Sequence, residues 1–403
     1  MTRRILPYLA AIVMLLVLAV YLAWLTSEDP KFNVATFEDE PLEMQIAPIE
    51  TAITLAQFRN DSDETVTILV RDYDGRMVSG VDFAALGVPR LDDPFEALAR
   101  VDRTDLLAIA DEPGAQIEVN VAQLLPSGPT GARHIGIGTN FPEHAEEARS
   151  DSVFIFPKFG TATPSRTSVG ASASDLMDYE VELCVRFDRP IASLADFDAA
   201  MKGFFLCGDF TDRIALLELA DFDNLDSGYG FSDAKSGEGF FPTGPFLVVP
   251  RDWETFIAET RMVTEHNGQA RQDARGNEMI LDFRGLAEKA LGDMSEPRFF
   301  YAGEFFKLTP EPLIPVSTTL MSGTSEGVIF TMPRRHDYIE MLLAYVGAGG
   351  PLSGRSLTDV GIPVFVENEI AGGHFLKPGD VVTYRSSTLG DIVVDIVPGS
   401  EGD

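Results

Sequence analysis

Residues 177–187 alternate apolar and polar side chains without interruption, which is the period of a strand with one face turned to a core. Tyr179, Val181, Leu183, Val185 and Phe187 fall on one face of that strand, and Glu180, Glu182, Cys184 and Arg186 on the other. Shorter runs of the same kind predict strands over 54–59, 65–71 and 77–81, the last two joined by a turn at Asp74-Gly75. Asn267-Gly268, set between Met262-Val263 and residues 269–272, is a two-residue hairpin signal, because both turn positions need positive φ. The 3.6-residue period predicts helices over 105–110, 282–290 and 337–346, the last ending in a Gly-rich break over 347–354. Segments 375–380 and 392–397 read as closing strands. The resulting class is α+β, mainly β.

Residues 5–25 break this pattern by carrying no charge at all. As a helix rising about 1.5 Å per residue they would span the roughly 30 Å hydrocarbon core of a bilayer. Arg3 and Arg4 precede the run and Glu28 and Asp29 follow it, so residues 1–4 are expected in the cytoplasm and the remainder across an inner membrane, in the periplasm. A cleavable signal peptide is the rival reading, but the run is long for one and no A-x-A-like site ends it. Residues 26–52, acidic and punctuated by Pro30, Pro41 and Pro48, read as a linker. Residues 53–130 then form a small β-rich subdomain with no histidine and no convergent polar cluster, and 131–398 the larger part.

A net charge of −32 argues against nucleic acid as a partner, since phosphate binding needs a basic surface. It also means that an anionic substrate would have to be held by a local positive site against a repulsive field. Glu180 and Glu182, two like charges on one strand face, repel unless a cation lies between them, and carboxylates are natural ligands of a hard divalent ion. The competing reading is a solvated outer face of an antiparallel strand.

The order of short motifs favours the metal. Gly136-Ile137-Gly138-Thr139-Asn140-Phe141-Pro142-Glu143-His144-Ala145-Glu146-Glu147 is followed by Phe156-Pro157-Lys158, Asp178-Tyr179-Glu180-Val181-Glu182-Leu183 and an apolar run that delivers Asp209 ahead of Arg213. Lys235-Ser236, Pro242-Thr243-Gly244-Pro245, Asn267-Gly268 with Arg271-Gln272, and Ser322-Gly323-Thr324-Ser325-Glu326-Gly327 come next. In this order the series resembles the fumarylacetoacetate hydrolase family, over roughly 53–398. The resemblance implies a mixed β-sandwich or roll, here preceded by one transmembrane helix, and a single Mg²⁺ or Mn²⁺ bound by Glu180, Glu182 and Asp209.

The same resemblance makes His144, paired with Glu147, the base that activates water, and places Lys158, Lys235, Arg213 and Thr324 around an anionic 2-oxo acid substrate. Residues 141–151 resemble the family's mobile lid, and members are commonly homodimers. The implied activity is hydrolysis of a carbon–carbon bond in an acylpyruvate-like 1,3-diketo acid. Hydration, isomerisation or decarboxylation of a 2-oxo or 2-hydroxydienoic acid would use the same motifs. A membrane-tethered binding protein on an altered site is the third reading, favoured by Leu216, the anchor and the compartment. The departures from the family pattern, Gly208 for Asn, Thr211 for Ser, Ile214 for Asp and Leu216 for a Gln that would supply a polar contact, suggest altered substrate choice more than a dead site. Residues 331–372 are an insertion relative to compact members, and nothing in them names a ligand.

No motif requires Cys184 and Cys207. On neighbouring antiparallel strands, with Glu182 opposite Asp209, the two sulfurs would face each other and a disulfide would suit an oxidising compartment. The connection over 188–202 is also long enough for a parallel crossover, which would leave two buried thiols.

Overall fold

The computed structural model describes residues 2–109, 116–150, 152–221 and 224–399, and for residues 2–7 and 9 the backbone alone. The chain divides into two units, one of residues 34–328 and 376–403, the other of residues 1–33 and 329–375.

The larger unit is built on a ten-stranded sheet whose spatial order is Gln116–Asn120, Met77–Asp82, Thr65–Tyr73, Ala52–Arg59, Leu247–Pro250, Lys202–Gly208, Val181–Phe187, Leu320–Met321, Arg133–Gly138 and Phe154–Phe159. Only the pairing of Leu320–Met321 with Arg133–Gly138 is parallel. A five-stranded sheet, ordered Gln269–Arg275, Arg261–His266, Val381–Ser386, Asp391–Pro398 and Arg166–Ala171, packs on it through contacts to Val181–Phe187 and Lys202–Gly208. This is a mixed α/β fold dominated by sheet. The strands expected at 54–59, 65–71 and 77–81 are present with slightly wider bounds, and Asn267 and Gly268 adopt the positive φ that the hairpin requires.

The 53–130 segment does not stand apart. Its first strand pairs Leu55 with Leu247, so its four strands extend the large sheet. One buried cluster joins Leu55, Leu69, Val81 and Phe95 from this segment to Cys184, Phe205, Cys207 and Met321. Nor is 26–52 a free linker along its length. The Thr36 N–H donates to Glu326, the Glu38 N–H to Asp273, and the Glu38 carboxylate takes Arg275. An acidic, proline-punctuated stretch therefore lies on the basic side chains of the hairpin. The segment 375–380 is not a strand either: Gly379 takes a φ of +98° and the strand begins at Val381. The helix expected at 105–110 is Arg103–Ile109, with Ala110 outside the described residues.

The 177–187 strand is interrupted. Met177–Asp178 pairs with Thr211–Asp212, Val181–Phe187 pairs with Lys202–Gly208, and Tyr179 and Glu180 lie between them. The two long strands are antiparallel, with the short helix Leu194–Ala199 in their connection, so no parallel crossover intervenes. Cys184 and Cys207 form a disulfide with a Cα–Cα distance of 6.1 Å. The register differs by two residues from the one that puts Glu182 opposite Asp209: Glu182 faces Cys207, Cys184 faces Phe205, and the bond is diagonal. Gly208 closes its strand beside Tyr384 of the second sheet. A Cβ there would lie 2.6 Å from the Tyr384 ring and 2.9 Å from Pro242, so no larger residue, asparagine included, fits without moving them.

The smaller unit is helical: Thr2–Leu25, Arg335–Gly347 and Leu357–Gly372. The 331–372 insertion thus belongs with the N-terminal segment. The Trp24 indole N–H donates to Glu340, the His336 N–H to the Ser27 hydroxyl, and Met341 packs at Gly361. Among the described residues no helix is long and apolar enough to cross a membrane, and part of the 5–25 run falls on residues whose side chains are not described.

Candidate metal centre and lid

Where Val181–Phe187 and Lys202–Gly208 end, the chain brings Glu180, Glu182 and Asp209 together with one carboxylate oxygen of each within 4.8 Å of the others. All three are buried. Glu182 comes from the strand itself, Glu180 from the interruption before it, and Asp209 from the residue after Gly208, fixed by its N–H donating to the Glu180 carbonyl. The strand break lets Glu180 turn to this cluster independently of the sheet.

Cations surround the carboxylates. Lys158 Nζ donates to Asp209 Oδ1 at 2.6 Å, and Lys235 Nζ to Glu180 Oε2 at 2.7 Å, Asp209 Oδ2 at 2.8 Å and the Thr211 hydroxyl at 2.9 Å. Arg213 donates to Glu180 Oε1 and to Asp178 Oδ2, each at 2.9 Å. Burial opposes charge on Glu180, but Lys235, Arg213 and a smaller contribution from His144 bring its pKa down to about 2. Burial would likewise lower Lys235, yet Asp209 and Glu180 hold it above the usual lysine range. Glu182 is the exception. Burial and the neighbouring Asp209 and Glu180 charges push it well above the carboxylate range, and the Gly323 N–H at 2.8 Å on Oε2 offsets only part of this. Its Oε1 is buried without a hydrogen-bond partner.

That orphaned oxygen tests whether a metal fits. Four carboxylates, counting Asp178, face three cations, and the oxygen left unpaired belongs to Glu182, whose pKa burial and the neighbouring charges raise. A divalent ion among hard oxygen donors would satisfy Oε1 and remove the repulsion. The residues fit Mg²⁺ or Mn²⁺.

His144 sits on the short helix Pro142–Glu147, where Pro142 occupies the first turn and Phe141 is fully buried behind it. Its Nδ1 is 2.9 Å from Glu147 Oε2, and Glu147 Oε1 accepts the Gly327 N–H at 2.9 Å. The pair is therefore tied to the 322–327 loop. Residue 151, at the end of the expected lid, lies outside the described residues.

Two of the expected substrate contacts are committed elsewhere. The Thr324 hydroxyl donates to the Val181 carbonyl at 3.0 Å and accepts from Gln272, so it holds the loop to the strand. Arg213 points at Asp178 and Glu180 and positions those carboxylates. Leu216, in place of a polar residue, is buried on the helix Arg213–Leu219.

Sequence reasoning passed over four contributors. Asp178 shares the parity of Glu180 and Glu182, so extending the alternation one step back would have included it. Gln272, inside a quoted motif, accepts the Val181 N–H and the Thr264 hydroxyl while donating to Thr324 and the Ser325 carbonyl. Asn140 bonds Leu281 and Ser322, fixing the backbone just ahead of the His144 helix. Gly323, at φ +77°, aims its N–H at Glu182, and no side-chain pattern reports a backbone donor.

Residues 133–397 match the family model described as fumarylacetoacetate (FAA) hydrolase, C-terminal. An uncharacterized protein of Staphylococcus epidermidis is 28% identical over 165 residues, 38% of this chain and 50% of that protein. One from Staphylococcus aureus is 27% identical over 184 residues, 43% of this chain and 57% of that protein. The chain thus spans about half the length of the curated relatives it matches. Among solved structures, one from Mycobacterium smegmatis bearing the HpcE name superposes with a TM-score of 0.51 at 20% identity, covering 86% of this chain and 100% of that one, a likeness of fold. A maleylpyruvate hydrolase from Sphingobium, in complex with manganese(II) and pyruvate, gives a TM-score of 0.48 at 17% identity, with 86% and 100% covered.

Proposed function

The chain belongs to the fumarylacetoacetate hydrolase family, and from that premise we propose that it is a divalent-metal-dependent hydrolase cleaving a carbon–carbon bond in an acylpyruvate-like 1,3-diketo acid. The observation that carries this reading is the unpaired Glu182 Oε1 inside a buried carboxylate triad. Mg²⁺ or Mn²⁺ on Glu180, Glu182 and Asp209 would supply Lewis-acid stabilisation of the enolate left when the bond breaks. The charge count fits an anionic substrate, because one uncompensated negative charge becomes one positive charge when a divalent ion is added.

Glu147 accepts the His144 Nδ1–H, which leaves Nε2 to take a proton from water. The hydroxide oxygen adds to the distal carbonyl carbon, and the bond to the adjacent methylene breaks. Its electron pair stays on the pyruvate fragment as an enolate, which is protonated at carbon. The products are a carboxylate and a 2-oxo acid. Lys158 and Lys235 hold the Asp209 and Glu180 carboxylates aimed at one point.

A second reading keeps the centre but hydrates, isomerises or decarboxylates a 2-hydroxydienoic or 2-oxo acid, and Leu216, where a polar contact is expected, favours a changed substrate. A tethered binding protein is the third. In every case we place the chain at a membrane through residues 5–25, as a homodimer. The tether is supported by the exposed Ile12, Leu15 and Leu16 and by the exposed Leu342, Leu343 and Val346 of the insertion in the same unit.

The test is a panel of acylpyruvates and 2-hydroxydienoates, assayed with and without Mg²⁺ and Mn²⁺. Acylpyruvate turnover only with metal is expected, and His144→Ala should lower it about 10²-fold or more while leaving metal affinity unchanged. Metal binding without turnover of either class would leave the binding protein.

A further inference from the structure

Beyond Cys184 on the same strand face as Glu182, Arg186 reaches into a groove of about 640 Å³ in the larger unit. The metal centre lies at the other end of that strand. Arg186 has an 11% exposed side chain, and its Nε is buried without a hydrogen-bond partner. Its Nη2 comes no nearer than 3.8 Å to Asp93, too far for a hydrogen bond, and the guanidinium stands 5.5 Å over the Phe95 ring. Burial pushes its pKa down.

The two acidic neighbours are engaged elsewhere. Asp93 Oδ1 caps a helix by accepting the Phe95 N–H at 2.8 Å, and Asp92 Oδ1 accepts the Thr65 hydroxyl. Arg59, on the rim, gives one nitrogen to the Asp63 carbonyl and leaves Nη2 3.8 Å from Asp92. The remaining wall sets apolar Leu125, Pro126, Pro129 and Val316 among the polar side chains of Gln57, Thr130, Thr161 and Ser317.

A buried guanidinium offers a planar fork of donors that matches a carboxylate, and leaving it unbonded is costly. We propose that this groove is a second ligand site, taking a small organic acid whose carboxylate is held by Arg186 and whose apolar body lies on the proline and leucine wall. The site is separate from the metal centre and does not depend on the activity assigned there.

Titration calorimetry on the full chain, with benzoate and with inorganic phosphate as probes, tests it. Benzoate should bind, and more tightly than phosphate. Arg186→Met should weaken benzoate binding about tenfold or more, the scale of a charged hydrogen-bonded pair. Val316→Trp, which narrows the rim without touching the guanidinium, should do the same, so the proposal stays testable if the arginine variant folds poorly. Glu182→Gln should leave benzoate binding unchanged. Absence of binding, benzoate binding as tight as the parent's in both groove variants, or loss of binding in Glu182→Gln would each overturn the site. Phosphate binding as tightly as benzoate would overturn the organic-acid assignment in favour of a plain anion hole.

Discussion

The metal centre and the helical unit handle water in opposite ways. Around Glu180 and Asp209 every described charge is buried and most are paired, so each side chain is held by several partners at once. In the helical unit, Leu342, Leu343 and Val346 are 51–62% exposed and Leu352 is 96% exposed, while charged residues such as Glu340 serve as hydrogen-bond acceptors for Trp24 and Asn368. The first region is over-determined by contacts within the protein. The second presents apolar surface that no described contact covers. Single substitutions should therefore have large effects in one and small effects in the other.

The largest expected effect is at Glu182. Glu182→Gln keeps the volume and removes the charge that burial and its neighbours already disfavour. Metal affinity measured by calorimetry should fall more than about 100-fold and turnover about 10³-fold, the scale of losing several kcal/mol of charge stabilisation. Thermal stability of the metal-free protein should hold or rise, because a strained carboxylate has become neutral. Unchanged metal affinity would remove Glu182 from the centre and with it the argument from the orphaned oxygen.

Next comes the Cys184–Cys207 bond, which ties together the two strands that deliver Glu182 and Asp209. A closed loop of this length constrains the unfolded chain by about 3 kcal/mol on the loop-entropy estimate. Cys184→Ala with Cys207→Ala should lower unfolding stability by about that amount in a denaturant titration. A loss below about 1 kcal/mol would mean that the strand pairing alone holds the site.

The different legibility of the two regions has the same physical root. Alternation over 177–187 gave the face on which Glu180, Glu182, Cys184 and Arg186 lie, because the side-chain period of a strand is set by covalent geometry. It did not give the break at Tyr179 and Glu180, which follows from Asp178, Glu180 and Arg213 bonding across to another segment. It also missed the two-residue register difference at Cys207. Pattern reports which face a residue takes, and pairing partners report where along the strand it sits. The extension of the large sheet by 53–130 was hidden for that reason: nothing in residues 52–59 names Leu247–Pro250 as their neighbour. In the helical unit, periodicity located Arg335–Gly347 but could not join it to Trp24, whose bond to Glu340 spans most of the chain.

A third prediction uses His134, which lies beside Lys158 in the strand pairing but outside the carboxylate cluster. Its Nδ1 accepts the Thr319 N–H and its Nε2 donates to the Gly160 carbonyl, so the fold binds the neutral ring. Burial, with the Lys158 charge adding to it, brings its pKa down from 6.5 to about 4. With a folded value below the unfolded one, the unfolded chain binds more protons in this window, so this part of the stability is present above pH 6.5 and is lost as pH falls towards 4. At pH 5 the loss should be about 2 kcal/mol relative to pH 7.5. His134→Asn should flatten that dependence in urea titrations, and an unchanged slope would show that other groups produce it.

The smallest expected effect lies in the helical unit. Leu343 is 62% exposed, so Leu343→Ser removes little buried area and opens no cavity. Its unfolding midpoint in denaturant should stay within about 0.5 kcal/mol of the parent. The same substitution should weaken association with phospholipid vesicles if this face meets a bilayer, since each exposed leucine contributes apolar area only when something covers it. A destabilisation above about 1 kcal/mol would show that Leu343 is packed against protein after all. The comparison would then fail, because the helical unit would be held by internal contacts of the same kind as the metal centre.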